Sequence, residues 1–274
     1  MLEQLTTYWS YDFVRNALTA GSLAAILGAV VGYFVVLRNV GFAAHALGHV
    51  GFTGAAGAAL LGLTPLQGML LIGCLAGGLM GVSGNKIHRS EMAVGMVLSL
   101  ALGLGTLFLT LYKGFAGQAT AILFGNIFGV SESQIVETFG LSLVSLIALA
   151  VISRRLLFAS VQPDLAEAQG LPLVMLSTTF MIILAVAVTL ASQVVGILLV
   201  FTLVIGPAGI AARLCRSFWS SIATAIVLAL AAVWIGILLA CITNYPPSFW
   251  ITFLLFLAYS AAELLARFIL RSER

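Results

Sequence analysis

The chain has 274 residues, of which 62% are hydrophobic and 8% charged, with a formal net charge of +3; its mean hydropathy is +1.17. Soluble domains carry about 25% charged residues, so a mainly aqueous surface is excluded. The basic residues sit at the ends of apolar runs rather than along a stripe, which also excludes a nucleic-acid surface.

Three long stretches, 39–85, 168–212 and 217–262, hold no Asp, Glu, Lys or Arg. A bilayer penalises an unpaired charge by several kcal/mol, and such stretches are what it selects. The first 11 residues lack the basic patch and the small-residue cleavage site of a secretory signal, so the first span is expected to be retained. A span needs about 20 apolar residues. Taken in chain order, spans are expected at 16–37, 43–62, 66–84, 92–112, 135–152, 173–190, 193–212, 219–241 and 248–268, with a tight turn at Ser192–Gln193 dividing the sixth from the seventh. The expected fold is therefore all-α: one polytopic transmembrane bundle of about nine spans, residues 1–274 forming a single domain.

Alternating loops then separate the 12 basic residues into two sets. One holds Arg38, Lys86, Arg89, Arg154, Arg155, Arg213, Arg216, Arg267, Arg271 and Arg274; the other holds only Arg15 and Lys113. Cytoplasmic loops collect Lys and Arg, so the N-terminus is expected outside and the C-terminus inside. The segment 115–131 is broken by glycine and reads as a re-entrant or surface helix on the outer side, or as a packed connector. Gly73, Gly77, Gly78 and Gly81 give the third span a small-residue surface suited to close helix crossings. Cys74, Cys215 and Cys241 show no metal-ligand spacing and read as structural filler.

Two polar features stand out. His45 and His49, near the start of the second span, are spaced i, i+4 and share a helical face, which Thr53 continues. Histidine inside a span faces a cavity or a partner. Two imidazoles on one face suit Zn²⁺, Mn²⁺ or Fe²⁺ if other helices complete the ligand set; the alternative is that they hydrogen-bond neighbouring groups and fix helix packing. The second feature is the connection 153–172, SRRLLFASVQPDLAEAQGLP, the longest charged loop. Within it Pro163 to Gln169 reads as a short helix: Pro at the start, the carboxylates Asp164 and Glu167 after it, Gly170 and Pro172 past its end. A helix this short is marginal in water, so it implies a docking partner at the cytoplasmic face, the alternative being a solvated loop.

There is no GxxxxGK[ST], HExxH or GxSxG motif, so any energy source for transport is expected in another chain. Glu263 lies four residues before Arg267 and is read as half of a helix-surface ion pair rather than a proton-coupling carboxylate.

Five blocks, in order, resemble the permease subunits of bacterial ABC importers for zinc, manganese or ferrous iron. They are GYFVVLRNVGFAAHALGHVGFTGAA, EMAVGMVLSLALGLG (91–105), LFGNIFGVS (123–131), QPDLAEAQGLP and VGILLVFTLVIGPAGIAARL (195–214). The resemblance runs from about Phe13 to Leu265. It departs at His45, where family members usually carry Asp, and at Gly48 and Thr53, where they often carry Ser and Pro; His49 matches the family's His. A move from carboxylate–imidazole to imidazole–imidazole leans towards zinc over manganese.

The resemblance implies a multi-pass protein of the bacterial inner membrane, with the fold of the cobalamin- and siderophore-type permeases. It implies a homodimer around a central pathway, a cytoplasmic ABC ATPase that binds the ATP, and an extracytoplasmic metal-binding protein. The chain itself would be no enzyme and hold no cofactor; its cargo would be a divalent metal ion passing His45 and His49. Pro163, Asp164, Leu165, Ala166, Glu167, Gln169 and Gly170 would dock on the ATPase. The alternatives are a permease for a metal chelate such as a siderophore or cobalamin, a secondary transporter, and a non-transporting membrane scaffold.

Overall fold

The computed structural model describes residues 11–83, 87–111 and 123–272. In chain order these form α1 (Asp12–Leu37), α2 (Gly41–Leu61), α3 (Pro65–Ser83), α4 (Ile87–Leu111), a 3₁₀ turn (Ile127–Gly129), α5 (Glu132–Val161), α6 (Pro163–Ala168), α7 (Leu173–Val195), α8 (Val200–Leu214), α9 (Phe218–Thr243) and α10 (Pro247–Ser272). No strand occurs among the described residues. The expectations concerning the N-terminal leader, Lys86, Lys113 and residues 115–122 of the outer segment lie outside them.

Among the described residues seven helices are long and apolar enough to cross a membrane: α1, α3, 91–111 of α4, α5, α7, α9 and 247–264 of α10. The other two expected spans depart from this standard for different reasons. Glycine together with His45 and His49 dilutes the hydropathy of α2. At 15 residues, α8 extends only about 22 Å at 1.5 Å per residue, against a hydrocarbon core of about 30 Å.

The boundary between the sixth and seventh expected spans also shifts. Ser192 and Gln193 are helical, because the Ser192 hydroxyl donates back to the Thr189 carbonyl at 2.7 Å and so stays within the helix. The break comes at Gly196, whose φ of +83° suits only a residue without Cβ. At the other boundary that moves, α5 runs on through Arg154 and Arg155 to Val161, so the first half of the charged connection is helix rather than loop. A capping box between Ser131 and Gln134 starts α5.

The centre of the bundle is α1, which packs on α9, α8, α5 and α7. To one side α2 lies against α3 and α4, with α3 returning onto α7; to the other α10 closes over α8 and α9. Leu27, Phe34, Phe180 and Leu184 are fully buried where α1 meets α7. Outward positions are apolar as well: Met96, Val144 and Val151 are 70%, 66% and 76% exposed. An aqueous surface would not carry so many large apolar side chains, whereas lipid accepts them.

Glycine sets the closest approaches. A Cβ on Gly32 of α1 would overlap the Val204 carbonyl of α8, and a Cβ on Gly54 of α2 would overlap the Gly68 carbonyl of α3. Backbones that touch in this way gain dispersion contact that lipid cannot match. At the far end of α8, Arg213 pairs with Glu263 of α10 and lies 4.8 Å over the Tyr259 ring. The Glu263 carboxylate thus ties two helices together; the side chain of Arg267, its expected partner on its own helix, lies outside the described residues.

Gly32→Leu is expected to force α1 and α8 apart, costing about 1–3 kcal/mol as overpacked cores do. A lower thermal midpoint in detergent checks this, and an unchanged midpoint would mean that the crossing tolerates a side chain.

Candidate functional site

The paired histidines are brought together as their spacing requires. The rings of His45 and His49 are 4.8 Å apart at their centroids, edge to face at 81°. His45 also meets the Phe201 ring of α8 edge-on at 5.8 Å. Both imidazoles are half-buried, and with Phe42 and Phe52 they form the outward stripe of α2 at i, i+3, i+7 and i+10. The opposite face of the helix is committed to packing: Ala46, Leu47 and Val50 are buried. Gly48 lies beside Ile197 and Val200, so the pair sits next to the break between α7 and α8.

Thr53 follows the pair on the helix but does another job. Its hydroxyl donates to the Ala101 carbonyl of α4 at 2.6 Å, which fixes α2 to α4. Among the described residues no cluster of three or more His, Cys, Asp or Glu side chains is placed to hold a metal. The described residues of one chain therefore offer two nitrogen donors on an outward face. Zn²⁺ takes four ligands and Mn²⁺ prefers more, largely oxygen, so His45 and His49 amount to half a site for either.

The second expected site is a distinct six-residue helix, α6, starting at Pro163. Pro163 has no N–H to leave unsatisfied and its fixed φ suits the first helical position. Gln169 caps the end and Gly170 turns the chain at φ +74°. The turn is closed by the Gly170 N–H donating to the Glu167 carbonyl at 2.9 Å and the Leu171 N–H donating to the Ala166 carbonyl at 3.1 Å. Ala166 is fully buried, whereas Pro163, Asp164, Leu165, Glu167, Gln169 and Gly170 are exposed. The helix is thus anchored by one small side chain and offers an apolar knob, Leu165, between carboxylates.

Two features were given no site role by the sequence reading, although both fall in the blocks that carry the resemblance. Gly125 and Gly196, both at positive φ, press backbone against backbone. Around them the Asn126 N–H donates to the Gln193 carbonyl and the Leu198 N–H to the Leu123 carbonyl, both at 3.3 Å, which laces the segment before α5 onto the α7–α8 break. The second is Arg38, read in the sequence only as an orientation marker. Its guanidinium reaches two serines and an aromatic ring inside the fold.

The sequence profile described as the ABC 3 transport family matches residues 10–266. The chain is 31% identical over 199 residues to the manganese transport system membrane protein MntC of Halalkalibacterium halodurans, covering 72% of this chain and 68% of that one. It is 30% identical over 211 residues to the manganese import system permease protein ScaB of Streptococcus parasanguinis, with 77% and 75% covered. Among solved structures, PsaBC from Streptococcus pneumoniae in complex with Fab superposes with a TM-score of 0.85 at 26% identity, over 96% of this chain and 95% of that one. An inward-facing metal-chelate type ABC transporter gives a TM-score of 0.70 at 14% identity over 92% and 84%, a likeness of fold alone.

Proposed function

The chain belongs to the ABC 3 transport family, and from that premise we propose that it carries a divalent first-row metal ion, with Mn²⁺ foremost, past His45 and His49. It is a permease of an ABC metal importer, a transport component rather than an enzyme, set many times through the bacterial inner membrane. A permease of this kind works with an ATPase and a substrate-binding partner. The energy enters through the ATPase, and the permease has to turn ATP-driven movement into a changed path for the ion.

The observation that carries the reading is the half-buried imidazole pair on the outward stripe of α2. A desolvated imidazole pair facing lipid would be costly, and facing a second copy of the chain it would not be. Two copies related by a twofold axis would bring four imidazoles to one pathway. In this arrangement α2 and α8 join the seven long helices as crossings, giving nine, with the N-terminus outside and the C-terminus in the cytoplasm. The ten basic residues then fall on the cytoplasmic side, as the charge rule asks. On that side α6 would seat Leu165 in the ATPase.

Manganese takes first place because the MntC and ScaB relatives carry it in their names. Zinc, the lean drawn from sequence, keeps one specific observation in its favour: both donors here are nitrogen, and imidazole suits zinc better than it suits manganese. The earlier inclusion of iron(II) has nothing further to support it.

Two experiments test the reading. Proteoliposomes holding this chain, its ATPase and its binding protein should take up ⁵⁴Mn in an ATP-dependent way, and His45→Ala with His49→Ala should lower uptake more than about tenfold. Normal uptake by the double variant would remove the histidines from the pathway, and His45→Asp should move the Mn:Zn uptake ratio towards manganese. Separately, Leu165→Asp should abolish co-purification of the ATPase while the permease still inserts; retained binding at wild-type yield would sink the docking role of α6.

A further inference from the structure

We propose that Arg38 is the positioning residue that couples the ATPase-docking loop to the metal-carrying helix α2. The inference rests on the permease reading above and names the part that links its two sites.

The side chain joins three helices. Arg38 caps the C-terminus of α1. Its Nη1 donates to the Ser160 hydroxyl in the last turn of α5, and its Nη2 donates to the Ser177 hydroxyl near the start of α7, both at 3.4 Å. The guanidinium carbon also lies 5.5 Å from the centre of the Phe180 ring. Ser160 and Ser177 stand on the two arms of the docking connection: one lies just before α6 and the other soon after it. A single cation therefore spans the base of the loop, bonded to the strut that enters it and the strut that leaves it.

The other end of the linkage is stiff. After Arg38 the chain turns through Asn39 in the left-handed conformation, φ +55°. The Asn39 N–H donates to the Val36 carbonyl and the Val40 N–H to the Val35 carbonyl, both at 3.1 Å, the two bonds of a Schellman turn. Then α2 begins at Gly41, and His45 lies one turn further on. With so few residues between them, all held by backbone bonds, a displacement of Arg38 carries the start of α2 with it.

Room to move is also present. A cavity of about 450 Å³ lies between the α1–α2 turn and the docking loop, with Arg38, Ser160, Pro163 and Ser177 on its wall. Pro163 is the first residue of α6, so the cavity reaches the start of the docking helix, whose Ala166 is packed. The buried Nε of Arg38 has no hydrogen-bond partner among the described residues. Glu91 of α4 lines the same cavity, and no ion pair joins it to Arg38 here. Buried donors are seldom left unsatisfied, and the two serine bonds are long, so the contacts of Arg38 are poised to be exchanged as the loop shifts. Two long bonds, a spare donor and a carboxylate on the wall of the same cavity give the guanidinium other partners within the site.

The test uses the assembled transporter in proteoliposomes, with ⁵⁴Mn uptake and ATP hydrolysis measured on the same preparations. Arg38→Ala is expected to lower metal moved per ATP hydrolysed by roughly three- to thirtyfold, the range of coupling effects away from a site. Its basal hydrolysis and ATPase co-purification should stay near wild type. Arg38→Lys, which keeps charge but cannot bond both serines with one planar fork, should restore only part of the ratio. The paired Ser160→Ala, Ser177→Ala variant keeps the arginine and removes its partners, and it should show the same uncoupling. If uptake and hydrolysis fall together with the amount of assembled complex in all three, Arg38 is structural and the inference fails. An unchanged ratio in Arg38→Ala likewise overturns it. Failure of the wild-type transporter to move Mn²⁺ or Zn²⁺ at all would instead strike the permease reading.

Discussion

Helices lying in hydrocarbon gain nothing from hiding leucine from one another, because lipid is as apolar as leucine. What holds them is close backbone contact, and here that contact depends on glycine. The Gly32 crossing lets α1 touch the backbone of α8, and the Gly54–Gly68 crossing does the same for α2 and α3. These crossings decide which helix is central. α1 packs on α5, α7, α8 and α9, and α2 hangs from its end by the three-residue turn 38–40. The position of the histidine pair follows from where α1 is held.

The same lack of hydrophobic pull gives polar contacts unusual weight at the ends of the bundle. Arg213 reaches across to Glu263 and Tyr259, so the short helix α8 is fastened to α10 where its length alone would leave it loose. At its other end, the backbone bonds around Gly125 and Gly196 fasten the α7–α8 break to the segment before α5. With both ends of α8 held, Phe201 stays beside His45. Arg38 differs from these anchors in keeping a donor, Nε, without a partner among the described residues. Its guanidinium therefore has a bond to gain when neighbouring helices shift.

Much of this was legible in the residues. Absence of charge marked the helices, and i, i+4 spacing placed His45 and His49 on one face. Proline, carboxylates and Gly170 located α6 to within one residue of its observed end. What escaped had a common physical cause: backbone breaks and cross-helix partners are not encoded by periodicity. Ser192–Gln193 looked like a turn because both residues are polar, yet a serine can return its hydroxyl to its own helix. The true break needed a positive φ, which a lone glycine among twenty-eight does not announce. The tie from Arg213 to Glu263 crosses between helices, and Arg38 could only be counted as a charge. A guanidinium turned inward across 122 and 139 residues of chain has no local signature.

The half-site geometry bears on how an importer releases its cargo. Four well-placed nitrogens on one rigid chain would bind a divalent ion as structural zinc is bound, too tightly to pass it on. A pathway needs sites favourable enough to enter and weak enough to leave. In the proposed dimer, two donors on each of two copies would meet that need, because the ligand set would exist only while the copies are in register. A small shift of either α2 would then break the set without unfolding anything. The lever for such a shift would have to end at the start of α2, reach the cytoplasmic side, and avoid the packed glycine crossings that hold α1. In the proposed orientation the turn at 38–40 satisfies all three conditions, and a single arginine there would matter more to transport than its distance from the imidazoles implies.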